Sequence, residues 1–287
     1  MSKRTTKKNI GVIGNGFVGS AISAGFALDA NVFVYDLDER RRTHTITEVM
    51  HKSDFIFVCV PTPMKLETGE IDLSIIRDVF SDIKKIATRR DQIFIIKSTV
   101  TPTSLESIIK ESPELRIVFS PEFLTERSSR LDFINSNRIV IGGHEKDLDE
   151  VEELFKIRFP FTRIIKTDLK TAQFIKYMAN CFFATKVSFM NEMFQAAQVL
   201  EIDWQHAMEG FISDGRIGNS HISVPGHDGY LGFGGKCFPK DLNAFIKLYE
   251  DLGVEPTIMR AAWKKNMEVR ECYDWLDIEG AISTENE

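Results

Sequence analysis

The stretch Gly229-Tyr-Leu-Gly-Phe-Gly-Gly-Lys-Cys-Phe-Pro-Lys-Asp241 sets a single cysteine, Cys237, between a glycine-rich approach and a helix start marked by Pro239. A proline two residues past a thiol suits the first helical turn, where its missing N–H costs nothing. The thiol then faces the positive end of a helix dipole, with Lys236 and Lys240 beside it. Both effects lower a thiol pKa and favour the nucleophilic thiolate. Gly232, Gly234 and Gly235 remove side chains that would block a ligand's approach. The alternative is a buried cysteine after a flexible loop; the glycines, cations and helix start argue for a nucleophile.

Near the N-terminus, Gly14-Asn-Gly-Phe-Val-Gly19 follows an apolar strand and opens a helix, the context in which this spacing becomes informative. Gly14 makes the tight turn, Gly16 lets the backbone approach a pyrophosphate, and Gly19 allows close helix–strand packing. The helix N-terminus, at Phe17 and Val18, binds the phosphates. Asp36 ends the second strand, where an acid accepts the ribose hydroxyls. Its carboxylate disfavours the 2′-phosphate of NADP, so NAD is expected, although Arg40, Arg41 and Arg42 nearby can tolerate that phosphate.

Three further segments fall at the carboxyl edge of the same sheet, where open α/β sheets bind ligands. They are Val60-Pro-Thr-Pro63, Lys97-Ser-Thr-Val100 and Ser120-Pro-Glu-Phe-Leu-Thr-Glu126. Pro121 suits a first helical turn, and in a helix Glu122 and Glu126 share one face, as a site or as a solvated acidic surface. Lys176 and Asn180 are also four residues apart, among Phe174, Met178, Ala179 and Phe182. A lysine there either snorkels to solvent or is held in a site, where it can exchange a proton with a substrate oxygen. Asn180 adds an amide donor for a developing oxyanion.

The elements that must position these residues are legible as two patterns. Apolar runs at 9–14, 31–35, 54–60, 92–96, 115–119, 138–141 and 161–165 alternate with amphipathic segments, which implies an α/β domain with a Rossmann-type doubly wound parallel sheet over residues 1–166. From Asp168, a plausible N-cap, apolar residues recur at helical spacing to about Leu200, followed by helices near 203–213, 239–251 and 255–275. Residues 167–287 therefore form an all-α domain around a long central helix. Such a helix needs covering on several sides, by a dimer partner or by a bundle within the chain. The acidic tail after Trp275 is expected to fray.

Bulk properties narrow the function classes. The 287 residues suffice for two domains, and the net charge of −6 argues against nucleic acid as the main partner. The basic start (Lys3, Arg4, Lys7, Lys8) lacks the apolar run of a signal peptide, and no stretch approaches a membrane span. Cys59, Cys181, Cys237 and Cys272 show no metal-ligand or disulfide-framework spacing, so no metal is expected and a reducing cytoplasm fits.

Taken together, Gly14–Gly19, Val60–Pro63, Ser98–Pro102, Ser120–Glu126, Arg138–Gly142, Lys176–Glu192, Asp214–Ile217 and Gly232–Asp241 resemble the UDP-glucose/GDP-mannose dehydrogenase family, in the family's order and over most of the chain. The resemblance implies that a sugar C6 alcohol is oxidised twice, to a carboxylate, with two NAD. It implies Cys237 as the covalent nucleophile and Lys176 and Asn180 as oxyanion donors. Asp241 would position or activate water with Lys176, Glu122 would serve thioester hydrolysis, and Thr99 would hold a water near the nicotinamide. Arg41, Thr62, Thr99, Glu126 and Lys240 fall on cofactor-contact positions. Phe123, Leu124, Tyr230, Phe233 and Gly234 fall on substrate positions, and Arg216 on an arginine that reaches the sugar of a neighbouring subunit, which implies a homodimer through the long helix.

The sequence departs from the family pattern in four places. It stops soon after Asn266, near where the family's nucleotide-gripping third domain begins. The segment from Asp36 to Val60 is short, Arg127 replaces a glycine, and His221–Asp228 enlarges the loop before the cysteine, with His221 and His227 read as loop residues. A β-hydroxyacid dehydrogenase, which uses a lysine and asparagine on its long helix but no cysteine, is the competing enzyme. An NAD-binding subunit without activity is the competing non-enzyme.

Overall fold

The computed structural model of the protein describes residues 7–86 and 89–283. Lys3 and Arg4 of the basic start lie outside them. The chain divides into two compact units: one holds the residues up to Thr62 together with Leu73–Lys176, the other holds Pro63–Asp72 and the residues from Tyr177 onward.

The first unit is an α/β sandwich of the Rossmann type. Its strands are β1 (Lys8–Ile13), β2 (Ala30–Tyr35), β3 (Phe55–Val58), β4 (Ile93–Ile96), β5 (Arg116–Phe119), β6 (Arg138–Gly142) and β7 (Arg163–Thr167), in the spatial order β2-β1-β3-β4-β5-β6-β7. The helices between them are α1 (Phe17–Phe26), α2 (Ile46–Lys52), α3 (Ser74–Lys85), α4 (Ser104–Glu111), α5 (Ser129–Ile134) and α6 (Glu145–Arg158). The period of two along each strand sorts its residues into two cores. Phe55 and Phe57 of β3 join Ile22 and Phe26 of α1 and Phe155 of α6 on one face. Ile56 and Val58 join Met50 of α2, Phe80 of α3 and Ile108 of α4 on the other. Helices on both faces explain why β3 and β4 are uniformly apolar.

Two expectations for this unit change. The sheet is parallel except where β5 meets β6, which pair antiparallel at Phe119 and Gly142. The last residues of the two strands meet, so β6 starts beyond the edge where β5 ends and runs back toward it. The last strand is Arg163–Thr167 rather than 161–165, and Phe161 is 99% exposed.

α7 (Leu169–Val199) leads from the first unit into the second, capped by Asp168, whose side chain accepts from the Thr171 N–H at 2.9 Å. The second unit continues with α8 (Trp204–Ile212), α9 (Phe238–Asp251) and α10 (Thr257–Val269). Tyr177 of α7 stacks on Phe245 of α9 at 5.0 Å within a core that also takes Ala184, Leu242 and Ala262. α10 ends at Val269 and not near 275, because Arg270 turns to an extended backbone (ψ 124°) with its side chain buried. The tail does not fray at Trp275. Trp275 and Ala281 pack against Met64, which bridges Ile282. Among the described residues no helix is long and apolar enough to cross a membrane.

Candidate active site

The first glycine loop has the geometry of a dinucleotide cradle. Gly14 has φ +88°, and a Cβ there would lie 2.8 Å from Cys59 O. A Cβ on Gly19 would lie 1.9 Å from Gly14 O, whereas one on Gly16 meets nothing within 4 Å. Gly16 is the N-cap of α1 and no side chain caps that end, so the first N–H groups of Phe17, Val18 and Gly19 are left for an anion. Asp36 sits at the end of β2 and accepts the Asn15 N–H at 2.6 Å, which ties the loop to the ribose-side carboxylate. These features fit a dinucleotide. The arginines beside it are engaged by acids of their own turn: Arg40 and Arg41 with Asp38 (2.8 and 3.5 Å), Arg42 with Glu39.

At the carboxyl edge of β4 and β5 a buried ionic cluster forms. Glu122 accepts from Lys176 Nζ at 2.8 Å and from the Leu124 N–H at 2.6 Å. That short carboxylate turn holds 121–125 out of the helical conformation, so Glu122 and Glu126 do not share a helix face; Glu126 begins a separate 3-10 turn and is exposed. Phe123 lies between two cations, Arg138 at 4.2 Å and Lys176 at 5.7 Å from its ring centre, and Leu124 packs on the sheet core. Thr62 donates to Thr99 O at 2.7 Å and thereby joins the two loops expected at this edge.

Lys97 is a member of this cluster that the sequence reading missed. It is 6% exposed, and its Nζ donates to Ser120 Oγ (3.2 Å) and Pro121 O (3.1 Å). Burial lowers its pKa to about 8, against the opposing pull of Cys59 and Glu122, with Lys176 adding to the fall. Desolvation pushes the Cys59 thiol up to about 12. The available signal was a lysine directly ending the all-apolar strand Ile93–Ile96.

In the second unit Cys237 is the N-cap residue of α9, half-buried, with Pro239 in the first turn and no side chain capping the helix. One turn on, Asp241 is 1% exposed and holds two partners: Asn180 Nδ2 at 2.6 Å on one oxygen, Lys240 Nζ at 2.5 Å on the other. Burial, with the Asp241 charge, pushes the Cys181 thiol and the Tyr177 phenol upward, so both are held in their neutral forms. Lys236, expected beside the thiol, donates to Glu279 O at 3.0 Å, and Lys240 is buried against Asp241.

The glycines before Cys237 serve a purpose other than the one expected. A Cβ on Gly232 would lie 2.3 Å from Asn266 Oδ1, and one on Gly234 would lie 2.1 Å from Asp274 Oδ1; only Gly235, at φ +71°, has open space around it. Gly232 and Gly234 are thus small because protein side chains crowd them. Phe233 is a core residue against Phe238 and Trp263, while Tyr230 is exposed with the Arg270 guanidinium 5.6 Å from its ring. Arg216, after α8, is exposed and pairs with Asp214 at 2.5 Å. His221 stacks on Phe183 at 4.2 Å and His227 is exposed.

The chain is similar to known proteins over most of its length. The chain matches the NAD binding domain of the UDP-glucose/GDP-mannose dehydrogenase family over residues 39–158 and the family's central domain over 170–268. A UDP-glucose 6-dehydrogenase of Rickettsia conorii is 35% identical over 239 residues, 80% of this chain and 52% of that protein. The Bacillus subtilis UDP-glucose 6-dehydrogenase YwqF is 30% identical over 299 residues, 90% of this chain and 66% of that protein. The solved UDP-glucose dehydrogenase of Pyrobaculum islandicum superposes with a TM-score of 0.81 at 26% identity, over 93% of this chain and 70% of that one. A 3-hydroxyisobutyrate dehydrogenase of Mycobacterium tuberculosis shares the fold, with a TM-score of 0.72 at 16% identity, over 92% of this chain and 94% of that one. The chain spans about half the length of the rickettsial relatives it matches. It belongs to the UDP-glucose/GDP-mannose dehydrogenase family.

Proposed function

We propose that the chain performs an NAD-dependent, four-electron oxidation of a nucleotide-sugar C6 alcohol to the uronic acid through a covalent intermediate on Cys237, with UDP-glucose to UDP-glucuronate as the reaction. The observation that carries this reading is the Cys237–Asp241 turn, in which a cysteine stands at the N-cap position of a helix and the next turn holds a buried carboxylate bonded to Asn180 and Lys240. Oxidising an alcohol needs no nucleophile. Oxidising an aldehyde does, because only after thiolate addition is there an alkoxide whose electrons can expel hydride. The thiohemiacetal so formed loses hydride to become a thioester, and water displaces the thiol to give the carboxylate. NAD, when bound, accepts the hydride of each oxidation, so one alcohol and one water yield one carboxylate, two NADH and three protons.

Each half of the chain's own chemistry has a role in that scheme. Lys176, held by Glu122, and Asn180, held by Asp241, donate to the oxyanions. Asp241 and Lys176 position the attacking water, Glu122 takes up its proton, and Thr99 holds a water at the sheet edge. The resemblance puts Phe123, Leu124 and Tyr230 on the sugar side and Arg41, Thr62, Glu126 and Lys240 on the cofactor side. Exposed Met178, Phe182, Phe189 and Met193 on α7 support a homodimer, to which Arg216 would contribute from the partner subunit.

The test is stoichiometry. With UDP-glucose and NAD, two NADH should appear per product, the product mass should show one oxygen gained and two hydrogens lost, and Cys237→Ala should abolish the acid. One NADH per substrate, indifferent to Cys237→Ala, would replace this reading by a β-hydroxyacid dehydrogenase. NAD binding without turnover of any UDP- or GDP-sugar would replace it by an inactive NAD-binding subunit.

A further inference from the structure

The loop 231–236 that leads to Cys237 contains no regular secondary structure, so its buried backbone groups must find partners elsewhere. They find them on side chains. Asn191 Oδ1 of α7 accepts the Gly232 N–H at 3.0 Å. Asn266 of α10, fully buried, closes a two-bond ring with Phe233: its Oδ1 accepts the N–H at 2.7 Å and its Nδ2 donates to the carbonyl at 3.0 Å. Beyond α10, Asp274 Oδ2 accepts the Gly235 N–H at 3.0 Å, and Arg270 Nη1 donates to Leu231 O at 3.3 Å.

Arg270 ties these contacts together. It is 3% exposed, and its Nη2 donates to Asp274 Oδ1 at 3.1 Å and to Asp228 Oδ2 at 2.8 Å, while Nε donates to Cys272 O at 2.7 Å. Asp228 ends the enlarged 221–228 loop, so one guanidinium joins that loop, the cysteine loop and the turn at 274. Burial pushes the Asp228 carboxyl up, but the Arg270 bond and the Tyr230 N–H outweigh it and leave it below its ordinary value. Gly232 and Gly234 are the counterpart in sequence, since any side chain at either would strike Asn266, Asp274 or Arg270.

We propose that Arg270 and Asp274 are positioning residues for the nucleophile: they clamp the Leu231–Gly235 backbone and so hold Cys237 at the N-terminus of α9. Their bonds run to the loop backbone, to Asp228 and to each other, and both lie outside the 170–268 segment matched to the family's central domain. This inference rests on the reading of Cys237 as the nucleophile, and a thiol measurement tests it without requiring turnover.

The experiment is alkylation of Cys237 by iodoacetamide, followed by peptide mass spectrometry on the full chain, for wild type, Asp274→Ala, Asp274→Asn and Arg270→Lys. A thiol released from a helix N-terminus loses thiolate character, so Asp274→Ala should slow alkylation at pH 7 by about fivefold or more. Asp274→Asn keeps an oxygen for the Gly235 N–H and should recover most of that rate. Where UDP-glucose is turned over, kcat should fall by about tenfold or more, with KM for NAD unchanged. Unchanged alkylation in both Asp274→Ala and Arg270→Lys overturns the proposal, whatever happens to the melting temperature. Loss of the proposed reaction would show instead as no uronate from wild type, with the alkylation comparison still readable.

Discussion

The two glycine-rich loops carry the same signature and mean different things. In Gly14–Gly19 the outer glycines are crowded by backbone and the middle one faces open space. That is a frame built around an absence, which a ligand can fill. In Gly232–Gly235 the space at two of the three glycines is already filled by Asn266, Asp274 and Arg270. Both loops deliver the chain to a helix N-terminus that no side chain caps, at Gly16 and at Cys237. The first leaves its N–H groups open to an anion; the second sets a thiol at the same position of its helix, at the end of a loop bonded to Asn266, Asp274 and Arg270. Glycine content alone therefore says that something comes close to the backbone, not whether that something is ligand or protein.

Substitution by alanine separates the cases, and the largest effect belongs to Gly19. Its Cβ would meet a backbone oxygen at 1.9 Å, which cannot move without dismantling the turn. Gly19→Ala should cost about 3 kcal/mol or more in urea unfolding. Gly234→Ala meets side-chain ends, Asp274 Oδ1 and Arg270 Nη2, which can swing away, so the expected cost is about 1–3 kcal/mol, together with slower Cys237 alkylation. Gly234→Ala that unfolds like wild type would break the distinction, because it would mean that the clamp yields freely.

What ionises beneath each loop sharpens the contrast. Under the second, Asp241 shares its charge between Lys240 and Asn180, one cation for one carboxylate. At the sheet edge of the first unit, two buried lysines, Lys97 and Lys176, stand with the single carboxylate Glu122, and the surplus charge is what burial opposes. Lys97 titrates near 8 in the folded chain against an ordinary 10.5. Between those values the unfolded state binds more protons, so stability rises with pH, by roughly 3 kcal/mol in total. Cys59 acts oppositely from pH 9 upward, since its thiol stays protonated to about 12 when folded. Cys181, pushed up by the same burial, adds to the loss, so the sum should rise from pH 8 to 9 and fall above it. Lys97→Met should remove the rise and leave the fall, read as unfolding free energy against pH; a wild-type curve flat from 8 to 9 would show that burial does not depress the Lys97 pKa and that its partners keep it a cation.

The sequence exposed what depends on period and local chemistry. Uniformly apolar β3 and β4, the Asp168 cap and the spacing of Gly14, Gly16 and Gly19 all express rules that act within a few residues. It hid what depends on distant partners. Nothing near Gly234 announces Asp274, forty residues on, and Lys97 reads as the end of a strand until Glu122 and Lys176 are brought against it. Pro121 invited a helix that the Glu122 carboxylate prevents by accepting the Leu124 N–H. α10 stops early for a comparable reason, since Arg270 is worth more to the loop than to another helical turn.

The smallest effect on the fold, and the most telling, is expected at Gly16. Its φ of −71° is open to any residue, and a Cβ there meets nothing within 4 Å. Gly16→Ala should leave unfolding within about 0.5 kcal/mol of wild type, or slightly stabilise the chain by restricting its unfolded state. NAD titration should nonetheless show affinity reduced by about tenfold or more, because a methyl at that point occupies the approach of a pyrophosphate to the helix N-terminus. The pair Gly16→Ala and Gly234→Ala then differ in sign on both axes: the first spares the fold and harms the cofactor, the second strains the fold and spares the cofactor. Equal NAD affinity in Gly16→Ala and wild type would mean that the open space in the first loop is not where the pyrophosphate lies.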